Sequence, residues 1–342
     1  MTSAGAPHRI ATLLALLTAS GCSADGRPSQ STRRAQIAVA TSAGADGAEA
    51  SLSANAQSVA THRWRLSFGA LPVSPAALAP TPDGLLVLDN GRSVLLHARL
   101  RTPSAPLLEQ VDVGSLDFPI GVRREGDLTF VWDQDGLLVL DKDLRPLRRI
   151  RAFRSVHEFV PLPGDRLLLS LFENREAEAN LVVTGSNLVA IRSWGLPASE
   201  RGPRRGLAGL VRLTPCGSSI VGALEYEATL LFIDPTLFNM TLRQVPSGRG
   251  LGDGTKLITG IACSTTAIIV VLREGSGVRI AELELDGSMR RLLTIADAPD
   301  MALDSLVVVE SAMGTRLFSV GREVAGDRVL VAVDVPPHSR GL

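Results

Sequence analysis

Carboxylates recur along this chain at regular intervals. Asp89, Asp133, Glu173, Glu225, Glu274 and Glu323 each stand at or just beyond the end of an apolar run. Six acids gathered on one rim either form an acidic ring for a cation or a basic partner, or accept hydrogen bonds from the amides of their own turns. Glu158, Asn174, Glu225 and Asp304 are oxygen donors of the kind that hold calcium when they converge. His157, next to Glu158, is either a general base or a polar group lining a channel. His62, His97 and His338 fall in unrelated contexts, and no two histidines have ligand spacing on one element. A Gly-x-Ser-x-Gly elbow, a phosphate loop and a dinucleotide fingerprint are all missing from the sequence. These residues offer binding chemistry, and no catalytic residue is assigned.

The three cysteines divide into two roles. Cys216 and Cys263 are either a disulfide, as an exported chain invites, or two buried thiols. Cys22 follows a short polar segment ending at Arg9, an apolar stretch from Ile10 to Thr18 and the small residues Ala19-Ser20-Gly21. That apolar stretch is far below the roughly 20 residues that span a bilayer, and the layout is that of a secretory signal. The Ala-Ser-Gly-Cys ending resembles the bacterial lipobox, with Ala19 where leucine is usual. The resemblance implies cleavage before Cys22 and acylation of its thiol and amine with chains such as palmitate. Two or more chains anchor stably where one does not. Ser23 replaces the Asp that tends to hold such proteins at the inner membrane, so the expected location is the outer membrane or cell surface.

Composition narrows the partner classes. Thirty-five basic residues balance thirty-five acidic ones, so no long-range field favours nucleic acid. Tyr226 is the only tyrosine, which disfavours aromatic platforms for bases or sugars. Basic residues cluster at Arg145–Arg154 and at Arg201, Arg204 and Arg205. Residues 23–62 are rich in Ala, Ser and Gly without apolar periodicity, and read as a tether holding the rest about 35 Å from the lipid.

The elements that would position the acids are strands. From Trp64 onward, apolar runs such as Leu85–Leu88, Leu137–Leu140, Ile268–Leu272 and Val329–Val333 are separated by Gly, Pro and Asp turns. The turns before the strongest runs fall at Asp83, Gly126, Gly164, Gly217, Ser264 and Ala312, roughly 40–50 residues apart, a spacing that signals a propeller. The last unit supplies three strands, Ser305–Ser311, Thr315–Val320 and Arg328–Val335. An extra strand at Trp64–Gly69 is expected to complete it and close the ring. The fold class is therefore all-β: a propeller of six blades with four antiparallel strands each. The expected boundaries are a signal peptide over 1–21, a lipid-anchored linker over 22–62, the propeller over 63–336 and a tail over 337–342.

Gly84-Leu-Leu-Val-Leu-Asp-Asn-Gly-Arg-Ser-Val-Leu-Leu96 resembles the NHL-type repeat of six-bladed and TolB-like propellers, and Leu128–Leu140 keeps part of it. The resemblance covers roughly 64–335 as architecture. It implies ligand binding on the face that would carry Asp89, Asp133, Glu173, Glu225, Glu274, His157 and Glu158. Some six-bladed propellers are calcium-dependent lactonases, so calcium is the one cofactor the resemblance raises. The favoured expectation is an envelope-anchored, non-catalytic binding or scaffolding protein without cofactor, engaging a protein or small ligand across one face. Replacing the anchor residue, Cys22→Ala, should abolish metabolic labelling with fatty acid and release the protein from membranes; unchanged labelling refutes the anchor.

Overall fold

The computed structural model describes residues 38–39, 57–59, 61–100, 106–134, 136–150, 156–171, 181–185, 190–194, 211–224, 229–234, 240–244, 256–274, 277–295, 302–311, 314–323 and 326–336. These contain strands and turns and no helix. They form six antiparallel blades. Blade 1 runs through Pro75–Thr81, Gly84–Asp89, Val94–Arg99 and Leu107–Val111. Blade 2 runs through Gly121–Glu125, Leu128–Asp133, Gly136–Leu140 and Pro146–Ile150. Blades 3, 4 and 5 begin at the inner strands Val156–Leu162, Val211–Cys216 and Lys256–Cys263. Blade 6 takes Ala302–Ser311, Gly314–Arg322 and Arg328–Val335, with Thr61–Trp64 as its outer strand.

Burial explains why the middle strands lack alternation. Every residue of Gly84–Asp89 and of Gly136–Leu140 is buried, because each blade is covered on both faces by its neighbours. The outer strand Pro146–Ile150 is exposed or half-buried and carries charge accordingly. The apolar clusters lie between blades. One joins Leu86 and Leu88 of blade 1 to Val122 and Leu138 of blade 2. Another joins Leu85 and Val87 of blade 1 to Phe318 and Leu330 of blade 6.

Ring closure is observed, but with a different strand. The closing strand is Thr61–Trp64, with Trp64 opposite Leu330 and Thr61 opposite Val333. Within the expected Trp64–Gly69 strand, Ser67–Phe68 instead turns back on Leu71–Pro72 as a small hairpin. Trp64, Leu66 and Phe68 alternate as a strand would. Leu66 and Phe68, however, belong to the apolar cluster between blades 6 and 1, and Gly69, at φ 63°, reverses the chain.

Strands also occur within 22–62, where a structureless linker was expected. Gln57–Val59 lies parallel to Met289–Ile295 outside blade 5, and Ala38–Val39 parallel to Met240–Gln244 outside blade 4. Strands of two or three residues are too short to print a periodicity in the sequence. Residues 1–37, Cys22 among them, residues 40–56, residue 60 and the tail 337–342 lie outside the described residues, as do Arg201, Arg204 and Arg205.

Cys216 and Cys263 are disulfide-bonded, with Cα atoms 5.4 Å apart. The bridge ties the end of the inner strand of blade 4 to the end of the inner strand of blade 5. Closing a loop of 47 residues removes unfolded-state entropy that, on chain statistics, is worth about 4 kcal/mol. The double substitution Cys216→Ala/Cys263→Ala should lower the unfolding free energy by about that amount. Urea denaturation without reductant measures it, and a difference within error would show that the ring does not depend on this staple.

Candidate functional site

The six inner strands surround an axial cavity of about 300 Å³. Strand alternation decides which side chains meet there. On blade 2, Gly121, Arg123 and Glu125 share one side of the inner strand, while Val122 packs against blade 1. Blade 3 contributes His157 and Glu158, blade 4 Arg212 and blade 6 Ser305. The two inner-strand residues singled out from the sequence, His157 and Glu158, are therefore brought together with three arginines and a second glutamate.

Arg123 organises the cavity. Its Nη2 donates to Glu158 Oε1 at 2.9 Å and to the Leu213 carbonyl at 2.6 Å. Glu158 accepts on its other oxygen from the Leu213 amide at 2.5 Å. One guanidinium and one carboxylate thus link blades 2, 3 and 4. The Arg123 side chain is 12% exposed, and its Nη1 is buried with no hydrogen-bond partner among the described residues; Glu125 Oε1 is 3.8 Å away. Burial pushes the Glu125 carboxyl above the usual carboxylate range, more than the charge of Arg123 pulls it down.

Trp132 forms part of the wall. Its indole N–H donates to the His157 carbonyl at 3.2 Å, and its ring meets Phe159 edge-on at 5.0 Å. The ring occupies the space above Gly121: a Cβ there would stand 2.0 Å from Trp132 Cζ2. Only glycine at 121 allows the indole to lie against the inner strand.

The acids of the rim have a different setting. Asp89 is fully buried; its Oδ1 accepts from the amides of Ser74 and Gly91, and its Oδ2 from Arg92 Nε at 2.8 Å. Asp133 repeats this arrangement with the amides of Asp117 and Gly136 and with Arg149. Both guanidinium groups also reach carbonyls of the loop leading into the inner strand, Phe68 and Pro72 in blade 1 and Ser115 in blade 2. Arg92 precedes the third strand while Arg149 lies on the fourth, yet they fill the same place in their blades. Glu323 pairs with Arg65, next to the closing strand. Glu173, Glu225 and Asn174, and the side chains of Glu274 and Asp304, lie outside the described residues.

Arg123, Arg124, Glu125 and Arg212 were missed as site residues from the sequence. The available signal was charge inside an inner strand, as in Gly121-Val-Arg-Arg-Glu125, where the matching strand Pro75–Thr81 has none.

No protein-family model and no curated protein sequence matches the chain. The likeness is structural. A protein from Bacteroides fragilis designated exported aligns with TM-score 0.53 and 11% identity over 81% of this chain and 96% of that one. Streptogramin B lyase aligns with TM-score 0.51 and 9% identity over 81% and 88%. Regucalcin, a calcium-binding protein from Agrobacterium tumefaciens, aligns with TM-score 0.52 and 9% identity over 82% and 98%. At such identities the shared property is the propeller fold, which hosts both enzymes and other proteins and assigns no reaction to this chain.

Proposed function

We propose that this protein is an exported, lipid-anchored binding propeller that holds a small ligand in its axial cavity and performs no catalysis. The observation that carries the reading is the state of Glu158. This carboxylate was a candidate calcium ligand beside the general-base candidate His157, and Arg123 and the Leu213 amide already engage both of its oxygens. Both oxygens are thereby committed to holding blades 2, 3 and 4 together. Export is supported by the signal-like segment ahead of Cys22 and by the Cys216–Cys263 bridge, since such bonds persist in oxidising compartments.

The competing reading is a calcium-dependent hydrolase, suggested by the calcium-binding neighbour. Calcium needs six to eight oxygen ligands. The described residues of this cavity do not fit it: a guanidinium lies 2.9 Å from Glu158, and a cation beside that carboxylate would be repelled by Arg123. Among the described residues no group of three His, Cys, Asp or Glu side chains could hold a metal ion.

Thermal unfolding of the purified protein with calcium and with chelator separates the two readings. A native-state calcium site at about a hundredfold its Kd would add roughly 2.7 kcal/mol, enough to raise Tm by several degrees. The binding reading expects the same Tm in both conditions. A calcium-dependent rise reversed by chelator overturns it.

A further inference from the structure

We infer that the axial cavity is a site for a small organic carboxylate, received by the buried Nη1 of Arg123. The inference rests on the axial-binding reading above and names the ligand class it takes. Three observations lead to it. Among the described residues, the charged side chains lining the cavity are Arg123, Arg124 and Arg212 against Glu125 and Glu158, a formal excess of one positive charge. The charge is unevenly answered: Nη2 of Arg123 has two acceptors, while Nη1 is desolvated and has none. A buried cationic donor without an acceptor is costly, and an anionic oxygen is the acceptor that relieves it best. The cavity lining mixes these polar groups with apolar ones, Ala76, Leu78, Ile120, Trp132 and Leu306 among them, so a ligand with an apolar body behind its charged end finds contacts for both.

Glu125 faces the same space, 3.8 Å from Nη1. Its oxygen is too far to hydrogen-bond with the guanidinium. A single excess positive charge matches a monoanion. Inorganic phosphate, near two charges and without an apolar body, matches it poorly.

The test uses isothermal titration of the full folded domain with benzoate, butyrate, the neutral isostere benzamide, and inorganic phosphate. One-to-one binding of benzoate or butyrate is expected, with benzoate at least about tenfold tighter than benzamide, the margin of one charge-assisted hydrogen bond. Phosphate should bind more weakly than either carboxylate. Glu125→Gln supplies a donor and removes the competing negative charge, so it should bind benzoate at neutral pH as tightly as the parent or several-fold tighter, with benzamide unchanged. This variant is informative even where Arg123→Gln fails to fold, since Arg123 ties three blades together. Benzamide binding as tightly as benzoate overturns the carboxylate assignment and leaves axial binding standing. Phosphate binding more tightly than the carboxylates, or loss of benzoate in Glu125→Gln, also overturns it. Failure of all four probes to bind overturns the carboxylate assignment and removes support for axial binding as well.

Discussion

Each blade is stable only because its neighbours cover it. The middle strands Gly84–Asp89 and Gly136–Leu140 are apolar on both faces and buried on both, so neither blade could stand alone in water. A linear stack would leave two such faces bare, and a closed ring leaves none. Everything else follows from the seam where the ring closes. There Thr61–Trp64 pairs with Arg328–Val335, Leu66 and Phe68 enter the cluster with Leu85 and Phe318, and Ser305 Oγ accepts from the Leu78 amide at 3.0 Å. Arg328 adds a bond to the Pro75 carbonyl at 3.1 Å. The first and last segments of the domain are thereby fastened together across the full length of the sequence. Such long-range pairing must overcome the entropy of closing a very large loop before any contact rewards it.

Closure also creates the cavity. Six inner strands packed around an axis leave a space that their side chains must fill, line or abandon to solvent. This chain fills much of it with small and apolar residues, Ala76 to Ala79 and Ile261 to Ala262. It places charge mainly on the inner strands of blades 2, 3 and 4. Arg123, Glu158 and Leu213 link those three blades by hydrogen bonds. A pair of this kind, once desolvated, contributes little net stability but makes removal of either partner costly. It also fixes the position of the remaining guanidinium nitrogen. The same network that holds the blades in register therefore presents the donor that a ligand would meet.

The architecture was legible because its signal is coarse. Strand runs bounded by Gly and Asp, repeated every 40–50 residues or so, survive in the sequence even where the blades have diverged in detail. The closing strand was misplaced by a few residues because Trp64, Leu66 and Phe68 share the apolar alternation of a strand and all pack at the interface between blades 6 and 1, although only Trp64 belongs to the closing strand. The acids on the rim were legible as a repeat, but their partners were not. Asp89 is matched by an arginine three residues on and Asp133 by one sixteen residues on, so no fixed spacing announces the pair. The cavity charges were hidden for a related reason. Arg123 meets Glu158 and Leu213 across separations of 35 and 90 residues, which only the closed ring converts into neighbours.

This difference separates the two sets of carboxylates. Asp89 and Asp133 are both saturated by turn amides and a guanidinium from the same blade, and each arrangement is complete within its own repeat. A device copied from blade to blade serves the blade. Arg123, Glu125 and Glu158 have no charged counterpart in blade 1, whose inner strand carries Ala79, Thr81 and Ala77 at the corresponding register positions. Blade 1 folds and packs without such charges, so packing alone does not require them in blades 2 and 3. Their cost in desolvation is offset only in part, since Nη1 of Arg123 remains without an acceptor. An asymmetric, incompletely satisfied group on the axis of an otherwise repetitive ring is where a ligand has something to supply.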